Sequence, residues 1–263
     1  MINLFGHGFI GSHYAKIYPC IVNERNDLTP KSNQILYTIS TVDNHTFKEN
    51  PFVDIETNLT TLIRVLEMCK NNSTTFNFVS SWFVYGSNIF ADEESPCNPK
   101  GFYSITKRTA EQLLIEYCKE FDIKYRILRL ANVLGAGDKK ASEKKNALSY
   151  LIKKIKNNEE IVLQNNGLFS RNYIHVSDVC DAINLVMTKG KLNTIYNIGA
   201  HTSLFKNAID YVIDKTGSTS EVKSVKGDSI LSFGMNCSKL FNLSFIPKYS
   251  MYDILDELID EHD

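Results

Sequence analysis

The sequence predicts an α/β fold: a doubly wound parallel sheet with helices on both faces and a smaller α/β unit toward the C-terminus. Strand-like and helical stretches alternate through the first half of the chain, which is typical of parallel strands joined by helices. A glycine-rich turn directly after the first strand supports the same interpretation. The predicted strands are 1–5, 19–24, 34–40, 75–81 and 124–130, and the predicted helices lie near 9–18, 56–71 and 102–121.

The first strand runs into a turn that contains Gly6, Gly8 and Gly11, and then into a helix. Such a turn lets the backbone approach a pyrophosphate closely and points the positive end of the helix at its charge. The glycine spacing alone is weak evidence, because a plain tight turn can show it as well. Its position straight after a strand favours a dinucleotide site.

The connection between the second and third strands, roughly residues 26–33, is short. A parallel crossover that contains a helix usually needs a dozen or more residues. We therefore expect no full helix in this connection.

The later helices are predicted from apolar stripes and capping residues. Beyond residue 135 we predict a helix at 143–157, a short strand at 161–163 and a terminal helix that Ser250 caps, with Asp253 three positions later. Apolar residues recur at helical spacing in the helices at 56–71 and 102–121, which indicates one buried face on each. These stripes are Leu59, Leu62, Ile63 and Leu66 in the first helix and Leu113, Leu114 and Tyr117 in the second.

The composition argues against several classes of function. The 263 residues carry 29 basic and 30 acidic side chains, so the net charge of −1 gives no field that attracts nucleic acid. No apolar run approaches the ~20 residues that span a bilayer, and the N-terminus lacks the basic and apolar regions of a signal peptide. Six cysteines at irregular spacing indicate reduced thiols, so we expect a cytoplasmic protein with no metal site.

A proton-transfer site is predicted where Tyr103 and Lys107 stand four residues apart on one helix face. A free phenol titrates near pH ~10, and an ammonium one turn away favours the phenolate and lowers that pKa. A hydroxyl of the Ser80–Ser81 pair, at the end of the fourth strand, can hold a substrate oxygen while the phenol exchanges a proton with that oxygen. The two serine side chains point to opposite faces of the strand.

Six motifs occur in order along the chain: GFIGSH, TNLTTLIRVLEMC, VSSWFVYG, YSITK, LRLANVLGAGD and RNYIHVSDVCDAI. Together they resemble the extended short-chain dehydrogenase/reductase superfamily, in its branch of nucleotide-sugar epimerases, dehydratases and reductases. In that family they form the phosphate loop, the Asn-x-x-x-Thr helix, the strand with the catalytic Ser or Thr, the Tyr-x-x-x-Lys pair and two later strands. Ser81, four residues before Tyr85, stands where the family has its catalytic Ser or Thr, so the resemblance implies that Ser81, Tyr103 and Lys107 are the catalytic residues. The resemblance covers most of the chain and implies a Rossmann-type sheet with a small α/β lid.

The resemblance also implies a division of labour along the chain. Residues 1–134 and 172–199 would form the NAD(P)-binding Rossmann domain, and residues 135–171 and 200–263 would form the nucleotide-sugar-binding lid. Relatives pair the helices corresponding to 56–71 and 102–121 with their symmetry mates, so a homodimer with a four-helix interface is expected.

NAD(P)(H) is the cofactor that the resemblance implies, with Lys107 holding the nicotinamide ribose beside Tyr103. Glu24 and Arg25 follow the second strand, where a carboxylate favours the free 2′-hydroxyl of NAD and an arginine favours the 2′-phosphate of NADP. Their adjacency leaves the choice open, with a slight preference for NADP(H). One departure is Phe5, where many relatives carry a further glycine. The expected cofactor-binding residues are Gly6, Gly8, Phe9, Ile10, Gly11, Glu24, Arg25, Asn58, Tyr103 and Lys107.

The substrate that the resemblance implies is a nucleoside-diphosphate sugar. Arg171 can offer a bidentate fork to its phosphates, unless the guanidinium forms a salt bridge with Asp178 or Asp181. The acidic residue that follows this arginine in the family is Asn172 here. The expected substrate-binding residues are Ser81, Trp82, Phe83, Asn132, Asn146 and Arg171.

Trp82 and Phe83 limit the reactions that the resemblance allows. Family 4,6-dehydratases carry an Asp-Glu pair at these positions, and family 3,5-epimerases carry a cysteine at the second. An indole and a phenyl ring can act as neither acid nor base. What remains is hydride transfer at one sugar carbon, most often C4, by a 4-keto reductase or a 4-epimerase. A bifunctional 3-epimerase/4-reductase and a dinucleotide-binding module without catalysis are the alternatives.

Overall fold

The computed structural model describes residues 1–42, 45–70, 72–86, 90–138, 147–227 and 232–261. The strands are β1 (Ile2–Phe5), β2 (Cys20–Val22), β3 (Gln34–Tyr37), β4 (Thr75–Ser81), β5 (Phe90–Ala91), β6 (Lys124–Leu130), β7 (Asn132–Leu134), β8 (Ile161–Gln164), β9 (Ser170–His175), β10 (Thr194–Ile198), β11 (His201–Leu204), β12 (Val222–Val225) and β13 (Gly234–Met235). The α-helices are α1 (Phe9–Ile17), α2 (Phe52–Ile55), α3 (Thr61–Met68), α4 (Phe102–Glu120), α5 (Ala147–Lys156), α6 (Val176–Lys189), α7 (Phe205–Thr216), α8 (Ser238–Phe241) and α9 (Met251–Asp260).

The main sheet has six strands in the order β10-β6-β4-β3-β1-β2, and every neighbouring pair is parallel. Successive side chains of a strand point to opposite faces, and both faces of this sheet are covered. Leu4 and Leu128 pack in one core with α1 and α6, whereas Phe5 and Ile127 pack in another with α3 and α4. The predicted doubly wound parallel sheet is confirmed.

The connection from β2 to β3 forms turns, and its described residues 23–33 contain no helix, as expected. The amide of Asn23 holds this connection by donating to the carbonyls of Asp27 and Thr29. Asn3 on β1 donates to Asn23 at 2.6 Å and accepts from the backbone of Lys31 at 2.6 Å. A compact polar turn therefore replaces a helix beside β2.

The helix predicted at 56–71 differs in detail. It begins earlier, with α2, and passes through a π-helical turn at Glu56–Thr60 before α3. Asn58 lies inside this turn and is buried. Such turns often occur at functional sites, and here the turn presents the Asn58 amide to the interior, where polar groups of two other segments bind it.

A third hydrophobic core lies toward the C-terminus. It is formed by α5, α7 and α9 with β8 and β9. The predicted helix at 143–157 is observed as Ala147–Lys156, because residues 139–146 lie outside the described part of the chain. The terminal helix α9 has the expected capping box between Ser250 and Asp253. The exact domain division stays a prediction.

In the described part of the chain, no helix is both long enough and apolar enough to cross a membrane.

Candidate active site

The phosphate loop has three glycines, each in a different situation. Gly6 has φ +101°, and a Cβ there would lie 2.6 Å from the Thr38 hydroxyl oxygen. A Cβ at Gly11 would lie 2.0 Å from the carbonyl oxygen of Gly6, whereas a Cβ at Gly8 would meet nothing within 4 Å. Gly6 and Gly11 are thus needed for the fold of the loop, and Gly8 leaves open space above it.

The N-terminus of α1 follows directly on this loop. The helix begins at Phe9, Gly8 gives it no side-chain cap, and no acidic residue lies in its first turn. The positive end of the helix is therefore available to an anion. Phe9 and Ile10 are half-buried, so they can offer backbone N–H groups while their side chains pack. These features fit the pyrophosphate of a dinucleotide.

Glu24 and Arg25 are both exposed directly after β2. Carboxyl ends of parallel strands are where dinucleotides bind in such sheets, and the residues after the second strand face the adenosine ribose. Both side chains are in reach of solvent on this edge of the sheet, because no helix covers the connection that follows. The choice between NAD and NADP stays open at this site.

The predicted catalytic side chains lie on two elements. Ser81 ends β4, and Tyr103 and Lys107 lie in the first two turns of α4; all three are buried. The hydroxyl of Ser81 accepts a hydrogen bond from the backbone N–H of Phe83 at 3.3 Å. The ring of Phe83 in turn meets that of Tyr103 edge-on, with centroids 6.0 Å apart. One residue thus contacts both the serine and the tyrosine.

The ammonium of Lys107 is held against β4. Its Nζ donates to the carbonyl of Val79 at 2.8 Å and lies 4.2 Å from the centre of the Phe78 ring. Burial lowers the pKa of Lys107 to about 7, although the negative charge of Glu111 opposes this effect. The lysine can therefore change charge near neutral pH, a property that the spacing of Tyr103 and Lys107 alone does not reveal.

Asn58, an expected cofactor residue, joins two segments of the site. Its amide nitrogen donates to the hydroxyls of Thr41 at 2.7 Å and Thr106 at 3.0 Å. Its amide oxygen accepts from the backbone N–H of Thr41 and the hydroxyl of Ser40. These bonds tie the loop after β3 to α4, beside Tyr103, and the cofactor contact itself stays a prediction.

The expected substrate side is an aromatic stack. The Trp82 ring stacks on Phe83 and on Phe233, each at 4.3 Å between centroids. The Arg171 guanidinium lies over the Trp82 ring at 5.6 Å and over the Phe169 ring at 4.7 Å. An arginine held on aromatic faces keeps its planar fork in a fixed orientation.

Asn132 donates from its amide to the carbonyl of Asn172 at 2.9 Å, so β7 and β9 hold it in place. The salt bridges considered for Arg171 involve carboxylates that have other partners. Asp178 accepts from the backbone of residues 248 and 249, and Asp181 pairs with Lys248 at 2.6 Å. Asn146 lies outside the described residues, and its role stays a prediction.

Comparison with protein-family models gives a match over residues 32–199 to the NAD-dependent epimerase/dehydratase family. This match covers more than half of the chain. The chain belongs to this family.

Among curated members, a dTDP-D-glucose 4,6-dehydratase of Dictyostelium discoideum is 32% identical over 149 residues, which are 51% of this chain and 33% of that protein. A putative UDP-glucose 4-epimerase of Methanocaldococcus jannaschii is 28% identical over 230 residues, 74% of each chain. The chain spans between a third and about half of the length of the first dehydratases that it matches.

Solved structures of family members have the same fold. A UDP-glucuronic acid 4-epimerase from Bacillus cereus in complex with NAD superposes with a TM-score of 0.87 at 20% identity, covering 99% of this chain and 98% of that one. RMD from Pseudomonas aeruginosa complexed with NADPH gives a TM-score of 0.86 at 18% identity, with the same coverage. At identities this low, the likeness shows the fold alone.

One buried pair near the family's Tyr-x-x-x-Lys motif escaped sequence reasoning. Glu111 on α4 and Arg129 on β6 form a forked ion pair behind Lys107. The available signal was a glutamate four residues after the motif lysine and an arginine between two leucines of a buried strand. Charged residues are almost never fully buried unless they are paired, but their spacing of 18 residues could not show that they meet.

Proposed function

We propose that this protein is an NAD(P)-dependent nucleotide-sugar oxidoreductase or epimerase that transfers hydride at one sugar carbon. The carbon that we favour is C4. The observation that carries the proposal is the burial of Tyr103 and Lys107 on α4 beside the carboxyl end of β4, where Ser81 lies. Ligands of doubly wound sheets bind at this edge. The glycine loop after β1 opens on the same edge.

The residues support a simple division of work. Ser81 can donate its hydroxyl proton in a hydrogen bond to the sugar oxygen, and Tyr103 can pass a proton to that oxygen or take one from it. Lys107 as an ammonium stabilises the phenolate form of Tyr103. A nicotinamide cofactor, when bound, supplies or accepts the hydride at the sugar carbon. In the reducing direction, carbon gains the hydride, oxygen gains the tyrosine proton, and a ketone becomes an alcohol.

The aromatic stack favours a reaction at a single carbon. Removing water from a sugar needs an additional acid and base near the bond that breaks, and Trp82 and Phe83 offer neither. Several curated relatives are named dehydratases, but the side chains that precede and follow Ser81 here do not supply that chemistry. We therefore place this chain with reductases and epimerases in the family.

Between these two, we favour a 4-keto reductase that uses NADP(H). Arg25 is exposed directly after β2, and no helix covers the described connection after it; an arginine at this point of such sheets can accommodate a 2′-phosphate. An open adenosine side favours exchange of the cofactor in every cycle, which a reductase needs and an epimerase does not. A 4-epimerase with retained NAD is the second candidate, and the putative 4-epimerase relative supports it.

Mass spectrometry and absorbance of the purified protein separate these candidates. A reductase is expected to be isolated without nucleotide and to bind NADPH more tightly than NADH on titration. Tightly retained NAD would instead support the epimerase. Binding of nucleotide without turnover of any UDP- or dTDP-linked sugar or keto-sugar would contradict both and leave the non-catalytic module.

We further propose a homodimer in the cytoplasm. The described cysteines are all free thiols, as a reducing compartment requires. Three apolar side chains on α3 and α4 are exposed: Ile105 by 51%, Leu113 by 40% and Met68 by 49%. The expectation that Leu113 lies on the buried face of its helix is wrong, because the adjacent Leu114 is the residue that faces the core. Apolar residues on two neighbouring helices suit a four-helix contact with a second copy.

A further inference from the structure

A buried ion pair joins the catalytic helix to the sheet. Arg129 on β6 donates from Nε to one carboxylate oxygen of Glu111 at 3.0 Å and from a terminal nitrogen to the other at 2.8 Å. The two residues are 1% and 0% exposed. Arg108, half-buried on the same helix, also donates to Glu111 at 2.9 Å. Breaking such a buried pair leaves an uncompensated charge.

The same guanidinium reaches the turn that follows Ser81. Arg129 lies 4.7 Å from the centre of the Tyr85 ring, and Tyr85 ends the 3₁₀ turn that begins at Trp82. The Tyr85 hydroxyl is fixed in turn, because it donates to the side chain of Asn197 at 2.6 Å. Arg129 thus contacts α4 through Glu111 and the serine-bearing turn through Tyr85.

We propose that the Arg129–Glu111 pair positions the catalytic groups: it holds the helix of Tyr103 and Lys107 in register with the strand of Ser81 and keeps a negative charge one helical turn from Lys107. This inference rests on the proposed function for its kinetic consequences. The pair touches neither substrate nor cofactor, so both members are positioning residues.

The charged groups around Lys107 determine how the pair acts electrostatically. Glu111 is the charged group that acts on Lys107, and Arg129 on β6 and Arg108 on α4 both pair with its carboxylate. The neighbours of Lys107 on β4 are uncharged: the carbonyl of Val79 and the ring of Phe78. Burial would raise the pKa of Glu111, but hydrogen bonds and charge from Arg129 lower it below its usual value. Glu111 therefore stays ionised, and its charge favours the ammonium form of Lys107.

The experiment compares Glu111→Gln, Arg129→Lys and the control Arg126→Lys with the wild type. Gln keeps the shape of Glu111 without its charge, and Lys keeps the charge of Arg129 without its fork. Arg126 is a matched control, because it is a buried guanidinium on the same strand that donates hydrogen bonds to Gly190 and Asn77, neither of which lies on α4.

Three readouts are needed. Thermal unfolding reports the stability of each variant. The pKa of Lys107 is measured by NMR titration of ¹³C-labelled lysine Cε, assigned with Lys107→Arg, and needs neither cofactor nor turnover. The pH profile of kcat/KM for NADPH reports the same group in the free enzyme.

In Glu111→Gln we expect the pKa of Lys107 to fall below its wild-type value and the descending limb of kcat/KM to move to lower pH. A merely structural role predicts the opposite, because a loosened core hydrates Lys107 and raises its pKa toward that of free lysine. Arg129→Lys should reduce kcat by about 10- to 100-fold, as small misplacements of catalytic groups do, while Arg126→Lys stays close to wild type at a similar loss of stability.

An unchanged or raised pKa of Lys107 in Glu111→Gln overturns the inference, as does an equal loss of kcat in Arg126→Lys. If Glu111→Gln does not fold, Arg108→Gln provides the test with the opposite sign, since removal of that half-buried cation strengthens the field of Glu111 and raises the pKa of Lys107; no change there overturns the inference. A wild type without turnover refutes the proposed function, and the NMR titration still decides the electrostatic claim.

Discussion

At the scale of single residues, the site combines an acid–base phenol with a lysine that burial weakens as a base. Tyr103 and Lys107 are both buried, and the Nζ of Lys107 donates a hydrogen bond to the Val79 carbonyl. Desolvated charges of this kind are costly in a folded protein and are typical of functional sites. Proton transfer by Tyr103 and the loss of stability caused by burying Lys107 can therefore be tested separately.

Tyr103→Phe tests the chemistry. The ring that contacts Phe83 remains, but the proton donor is lost, so turnover of a keto-sugar nucleotide should fall by ~10²-fold or more. NADPH affinity, measured by fluorescence titration, should stay nearly unchanged. Tyr117→Phe is the control, since Tyr117 lies on the same helix as Tyr103 and its hydroxyl donates to the exposed Glu67 of α3. Full activity in Tyr103→Phe would rule out the mechanism.

Lys107→Met tests how much the buried amino group destabilises the fold. The folded-state pKa of Lys107 is about 7, below the usual 10.5, so the unfolded chain binds more protons between these values and the wild type gains stability as pH rises through this window. Lys107→Met should remove that rise in the thermal midpoint between pH 7 and 9 while abolishing turnover. The exposed Lys119→Met should keep the rise. A wild type whose stability is flat over this window would contradict the burial argument.

At the scale of elements, two glycines of the loop after β1 have different surroundings. Gly11 is packed against the carbonyl of Gly6, whereas Gly8 borders open space at φ −82°, which any residue adopts. The two glycines look equivalent in the sequence motif. The surroundings of Gly11 show that the fold of the loop requires it, whereas the requirement for Gly8 by a bound ligand is a proposal.

Gly8→Ala and Gly11→Ala should therefore fail differently. Gly8→Ala should keep the thermal midpoint of the free protein but weaken NADPH binding about tenfold or more, a change of ~1.4 kcal/mol, because the methyl group occupies the ligand's space. Gly11→Ala should lower the midpoint of the free protein. Calorimetry with and without NADPH measures both effects, and equal behaviour of the two variants would refute this assignment.

The elements themselves were largely predictable from sequence. Three predicted features depend on local patterns, and each is observed: the alternation of strands and helices, the short link after β2 and the capping box at Ser250. The π turn around Asn58 was not predicted, because it forms where residues 17 and 48 positions away bond the same amide. The Glu111–Arg129 pair was missed for the same reason, since tertiary partners leave no local spacing.

At the scale of the whole molecule, the proposed dimer follows from helices that leave apolar side chains in water. Light scattering at micromolar concentration should give a particle of about twice the 29.9 kDa chain mass. Leu113→Arg should shift it to one chain, because a charge in the centre of the contact is left unpaired. Ile246→Arg, at a side chain that is 78% exposed elsewhere, should leave the dimer intact. A monomeric wild type would refute the dimer.

The helix α9 also fixes the turn after β7. Glu257 and Glu261 accept hydrogen bonds from the backbone N–H groups of Ala136 and Gly137, and Glu257 binds His175 at 2.7 Å. During synthesis, this turn emerges from the ribosome more than a hundred residues before the carboxylates that secure it. The six-stranded sheet can thus begin to fold cotranslationally, whereas the core of α5, α7 and α9 must wait for the last helix, so late folding intermediates would hold a formed sheet beside an unfinished C-terminal core.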